Sequence, residues 1–105
     1  MDNNLCSIKT TLPITWREFE VVALAQDLLA NGAACVQHHQ ITSTYKWDGS
    51  VQSEKEWSVE IKVSIANRVS VMKNLKLLHP YDVPQIISTE VNANDSYLQW
   101  VNSVN

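Results

Sequence analysis

The chain predicts an α+β fold, two βαβ halves in one sandwich followed by a short terminal helix, and three observations carry that expectation. Period-2 alternation from Val51 to Ile65, with one face wholly apolar from Trp57 on, folds back across Asp48-Gly49 onto the stretch that follows Ala33. Two stretches with apolar residues at helical spacing flank this hairpin, one ending at Asn31-Gly32 and the other at His79-Pro80. Short strand-like runs, Leu5 to Thr11 and Gln85 to Val91, stand outside both. The order βαββαβ with right-handed crossovers puts both long helices on one face of a four-stranded sheet, a ferredoxin-like sandwich. Its other face must be solvated or packed on neighbours.

Each element has a local reason. Leu5 to Thr11 alternates, with Cys6, Ile8 and Thr10 on one face and Leu5, Ser7, Lys9 and Thr11 on the other, and Pro13 ends the strand. Thr15-Trp16-Arg17-Glu18 reads as a capping box, with Ile14 and Phe19 at the staple positions. Val22, Ala25, Leu28 and Leu29 form the apolar stripe of the first helix, which stops where Asn31-Gly32 accepts a left-handed residue. After the hairpin, Asn67 reads as an N-cap for a helix with Val69, Met72, Leu75 and Leu78 inward, closed by His79-Pro80 because a residue before proline leaves the helical region. A polar turn from Asn92 to Ser96 leads into a last helix with Tyr97, Leu98, Trp100 and Val101, capped by Asp95 or Ser96.

The hairpin, Ala33 to Ile65, organises the rest. Asp48-Gly49 is a type I′ turn signal, since both central residues need positive φ. On the second arm Val51 through Ile65 at odd numbers faces one way, wholly apolar from Trp57 on, and the even numbers from Gln52 to Ser64 face the other. An arm of about 15 residues reaches roughly 50 Å, whereas a globule of about 100 residues is roughly 34 Å across. The overhang is expected to carry Tyr45, Trp47 and Trp57, large rings that need cover from further copies of the chain, so the hairpin predicts an obligate oligomer. A β-bulge that folds the arm back is the alternative.

With 105 residues the chain forms one domain, residues 1–105, large enough for a core without disulfides. Eight Lys and Arg against eleven Asp and Glu give a net charge of −3 with no basic cluster, which argues against nucleic acid and anionic membrane as partners. Neither a leader-like start nor a membrane-length apolar run is found, so a cytoplasmic location with Cys6 and Cys35 reduced is expected.

Metal chemistry draws attention to Cys35, His38 and His39, since thiolate and imidazole suit copper and zinc. On a strand Cys35 and His39 share a face and His38 takes the other, so a bulge or a second subunit is needed to gather them. His79 reads as a cleft ligand or as a cation at a helix end. Tyr81 and Asp82 between two prolines form a rigid turn of the kind that lines clefts. Lys62 sits on the polar face of its strand, within reach of Glu60 or a neighbour's carboxylate. Glu54, Glu56 and Glu60 form a row expected to be the wet face, and Trp47 and Trp57 read as interface packing. No nucleophile, base and orienter can be assembled, and with two glycines there is no phosphate loop, so no enzymatic activity is expected.

Ala33-Ala34-Cys35-Val36, Ile41 through Gly49, Lys62, His79-Pro80-Tyr81-Asp82-Val83-Pro84, Tyr97 and Trp100 resemble, in order and spacing, the CutA divalent-ion tolerance proteins. The resemblance runs from Thr11 to Trp100. It implies a ferredoxin-like fold, an interlocked homotrimer similar to the PII-type signalling proteins, and an association with copper and other divalent metals. The positions that hold copper in bacterial members correspond to Thr10, Leu78 and His79, so two of the three ligands are replaced. The expectation is a non-enzymatic homotrimer that binds Cu(II) or another divalent cation. Trp47, Lys62, Tyr81 and Asp82 are expected at an inter-subunit cleft, and His79, His39 and Cys35 are the candidate metal ligands. A stable trimeric scaffold and a PII-like small-ligand sensor are the alternatives.

Overall fold

A computed structural model describes residues 4–104; residues 1–3, on which the reading of the N-terminus partly rests, and Asn105 lie outside the described residues. The elements are β1 (Asn4–Pro13), α1 (Glu18–Ala30), β2 (Cys35–Trp47), β3 (Ser50–Val63), a 3-10 turn (Ile65–Asn67), α2 (Arg68–Leu78), β4 (Ile86–Asn92) and α3 (Asp95–Ser103). The sheet runs β2-β3-β1-β4 with every neighbouring pair antiparallel, the strand order of the ferredoxin-like sandwich.

One face of the sheet carries the main core. Cys6, Ile8 and Leu12 of β1 and Trp57, Val59, Ile61 and Val63 of β3 pack against Val21, Leu24 and Leu28 of α1 and Val71 and Leu75 of α2. The alternation foreseen for β3 is therefore present, with every odd residue from Trp57 to Val63 buried. α3 covers one end of the opposite face, where Val101 meets Leu5 and Ala34.

Asp48 at φ 55° and Gly49 at φ 81° form the turn, and β2 and β3 then pair without interruption from Trp47 opposite Ser50 to Cys35 opposite Lys62. No bulge folds the arm back. β1 accompanies β3 only as far as Pro13 opposite Glu56, so Thr42–Trp47 and Ser50–Lys55 continue as a two-stranded ribbon of about 20 Å. The molecule measures 46 × 26 × 21 Å with a radius of gyration of 14.6 Å, against about 13 Å for a compact chain of this length.

Several local expectations are corrected. Trp57 is not on the overhang: it lies opposite Leu12, is buried in the core, and its indole N–H donates to the Trp16 carbonyl at 2.9 Å. Glu56 is not on a wet face but buried. The first helix is capped at Arg17, whose N–H donates to the Glu20 carboxylate at 3.0 Å, two residues beyond the Thr15 box. Ile14 and Phe19, expected to staple it, are exposed, as are Val22 and Leu29, because the docked face is Val21, Leu24 and Leu28. One residue turns a helix by about 100°, and a segment apolar on most sides leaves the choice of face to the sheet. In α2 Leu75 is buried and Met72 half-buried as expected, but Val71 takes the inward place given to Val69, and Leu78 is exposed. Asn67 holds the N-cap position of α2 as expected but makes no side-chain cap bond there: its amide donates to the Gly32 carbonyl at 3.2 Å, and Ser64 caps the preceding 3-10 turn by accepting from the Asn67 N–H at 3.2 Å. Ile65 belongs to that turn, and Asn94, not Asp95 or Ser96, precedes α3.

Candidate functional site

The half of the sheet that α3 leaves open presents the even residues of β3 and the odd residues of β2. Where the ribbon leaves the sheet, this face meets the loop between α2 and β4. The two enclose a cleft of about 720 Å³ lined by Thr11, Ser43, Tyr45, Trp47, Glu54, Glu56, Tyr81 and Asp82, with further loop atoms.

The loop is held by His79. Its backbone is extended (φ −72°, ψ 135°), as the following proline demands. Its ring Nε2 lies 2.9 Å from the Thr11 carbonyl and 2.8 Å from the Thr10 hydroxyl oxygen, and Nδ1 accepts from the Tyr81 N–H at 3.1 Å. A carbonyl only accepts, so these partners assign the neutral tautomer with the proton on Nε2. Burial lowers the imidazole pKa, opposed by the Thr11 carbonyl and the Glu56 charge. The ring clamps the loop to β1 and orients Tyr81.

From there Tyr81 donates its hydroxyl to Glu56 Oε2 at 2.7 Å. Burial, then the Glu56 hydrogen bond and charge, push the Tyr81 pKa well up, so the phenol stays protonated. On the ribbon the Tyr45 hydroxyl donates to Glu54, a bond that raises the Tyr45 pKa. The ion pairs among the described residues, His38 with Glu18 at 2.8 Å and Lys62 with Glu60 at 3.3 Å, involve none of the lining side chains. The cleft thus presents aromatic rings and carboxylates with no basic partner.

Of the residues expected here, Trp47, Tyr81 and Asp82 line the cleft and Lys62 does not. Lys62 lies opposite Cys35, where it donates to Gln37 Oε1 at 2.9 Å. His38 faces the helices, 5.6 Å edge-on to Trp57 and bonded to Glu18. Cys35 and His39 share the open face, but the four residue steps between them along the strand span about 13 Å, too far to hold one ion. Among the described residues no group of three or more His, Cys, Asp or Glu is placed to hold a metal. Two of the copper positions implied by the resemblance meet, Thr10 and His79, yet the set does not fit the ion. A hydroxyl and Leu78 replace the soft donors, and both His79 nitrogens are engaged.

Glu56, Glu54 and Tyr45 escaped the sequence reading as site residues. A signal existed: a two-residue turn fixes register, and Trp47 opposite Ser50 brings Tyr45 diagonally to Glu54 on one face. Nothing local places Tyr81 on Glu56, which lie 25 residues apart.

The family described as "CutA1 divalent ion tolerance protein" matches residues 10–104. A divalent-cation tolerance protein CutA from Pyrococcus horikoshii is 32% identical over 98 residues, covering 90% of this chain and 91% of the relative. Among solved structures, the divalent ion tolerance protein CutA1 from Ehrlichia chaffeensis superposes with a TM-score of 0.86 at 30% identity, covering 96% of this chain and 94% of that one. The PII-like protein CutA from Nostoc does so with a TM-score of 0.80 at 27% identity, over 96% and 97% of the two chains.

Proposed function

Because the chain belongs to the CutA1 divalent ion tolerance family, we propose that it is a non-enzymatic cytoplasmic homotrimer that binds cationic ligands in clefts at its subunit boundaries. The single observation that carries this reading is the cleft beneath the ribbon, acidic and aromatic, with Trp47, Tyr81 and Asp82 in its walls. The ribbon argues for further copies: Tyr45 is 37% and Trp47 56% exposed, and neither meets a cover within its own chain. Ile87 on the open face of β4 is exposed as well.

Cu(II) or another divalent cation is the ligand that the family's description suggests. Since the described residues hold no metal cluster within one chain, the donors would come from more than one copy, with His39 and Cys35, the latter hydrogen-bonded to Tyr97, as candidates and His79 available only if the Tyr81 loop releases it. A PII-like role in sensing a small molecule is favoured by the cleft's size, within the ~300–1,000 Å³ usual for small-molecule sites and far larger than one ion. No helix of the described residues is long and apolar enough to cross a membrane.

Light scattering after size exclusion tests the assembly, with three times 11.9 kDa expected. A folded single chain at micromolar concentration would overturn the shared cleft. Titration calorimetry with Cu(II) and Zn(II) tests the metal, and no heat with either would remove it.

A further inference from the structure

We infer that the cleft between the ribbon and the 80–85 loop receives a small organic cation, a primary or alkylated ammonium group, with Glu56 as its counter-charge. The inference rests on the cleft reading above and names the ligand class.

Glu56 is only 7% exposed, and the one hydrogen bond its side chain receives among the described residues comes from the neutral Tyr81 hydroxyl. Neither ion pair among those residues includes it. A carboxylate taken this far from water is costly unless an opposite charge answers it. Its second oxygen is not sealed away, because no fully buried side-chain oxygen among the described residues lacks a partner. That oxygen is open to the cleft that Glu56 lines. The position therefore offers a largely buried carboxyl group with one free acceptor edge, facing an open cleft.

The walls say which cation fits. Tyr81 is bonded to Glu56 and Tyr45 to Glu54, so a ring stands beside each carboxylate, and a ring face attracts a cation that sheds water easily, as alkylammonium groups do and small divalent ions do not. Tyrosine hydroxyls already bond one oxygen each of Glu54 and Glu56, and no three metal donors converge among the described residues. Calcium and magnesium need about six oxygen ligands, more than remain, and zinc favours the histidine and cysteine donors that this lining lacks. Thus the cleft suits a cation that brings its own apolar shell.

The test uses the full chain in its native assembly, with light scattering and calorimetry on the same sample. Tetramethylammonium chloride, its neutral analogue neopentyl alcohol, and Zn(II) are titrated at matched ionic strength. Saturable heat with tetramethylammonium and none with neopentyl alcohol is expected. Glu56→Gln, which keeps an acceptor for Tyr81, should weaken binding about tenfold or more, and Tyr45→Leu, which removes the ring beside Glu54, about fivefold, with light scattering checking that both variants keep the assembly. Equal binding of the neutral analogue, or unchanged affinity in both folded variants, overturns the inference. So does a wild type that binds nothing; if Glu56→Gln then also dissociates the assembly, the cleft belongs to a basic side chain of a second copy. A monomer that still binds tetramethylammonium would sink the shared-cleft reading and leave this one standing.

Discussion

Replacing Tyr81 with phenylalanine tests the joint on which the cleft is built. The change deletes one oxygen and leaves Glu56, 7% exposed, without the hydroxyl that donates to it at 2.7 Å. A hydrogen bond to a charged group contributes about 1.5–3 kcal/mol, and since the other carboxylate oxygen opens to the cleft, water replaces part of the loss. A cost of about 1.5–2 kcal/mol at neutral pH follows. Guanidinium unfolding at one fixed chain concentration measures it, because subunit concentration enters the stability of an assembly. A double-mutant cycle with Glu56→Gln should return a coupling of about 1 kcal/mol or more. The pH dependence gives a second handle. Tyr81 is raised above its ordinary 10.0 in the folded state, so the folded chain keeps a proton that the unfolded chain releases above about pH 10. Its stabilisation is whole below that pH and is lost as pH rises through the folded value, and Tyr81→Phe should flatten this alkaline limb. A variant within 0.5 kcal/mol of wild type, with no coupling and an unchanged alkaline limb, would refute the reasoning.

His79 should act at the opposite end of the pH scale. Its pKa is lowered on folding, so stability is full above about 6.5 and falls as acid protonates the unfolded chain first; His79→Gln should lose less stability between pH 7 and pH 5 in the same unfolding assay. Leu75→Ala should cost about 2–5 kcal/mol, since the side chain is fully buried under α2, whereas Leu77→Ala, at 85% exposure two residues on, should stay within about 0.5 kcal/mol. Equal effects would place the helix face wrongly. Gly49→Ala adds a methyl that meets nothing within 4 Å, so only the backbone at φ 81° resists it, and a loss of about 1–2 kcal/mol in thermal or denaturant unfolding is expected.

The parts of this molecule that were legible in the chain are those set by short-range rules. Asp48-Gly49 dictates a tight turn, the turn dictates that Trp47 faces Ser50, and alternation carries that register down to Cys35 and Lys62. Helix existence and stops were likewise readable, as Gly32 at φ 111° and the extended His79 illustrate. Helix faces were not. The sequence of α1 places apolar residues at both Val21 and Val22 and at both Leu28 and Leu29, and only docking on the sheet chooses between the two stripes. Trp57 and Glu56 were misplaced for a related reason: whether a residue of a long hairpin lies over the body or beyond it depends on where β1 stops, opposite Glu56.

By itself, then, the sequence determined the order of elements, the two faces of the hairpin and its excess length, because turns, alternation and caps act within a few residues. The tertiary structure alone decided that Tyr81 closes on Glu56, that His79 is consumed in holding the loop, and that Lys62 stands apart from the cleft. Those encounters join residues tens of positions apart, and their geometry exists only once the helices have settled on the sheet and the ribbon has been left standing beyond it.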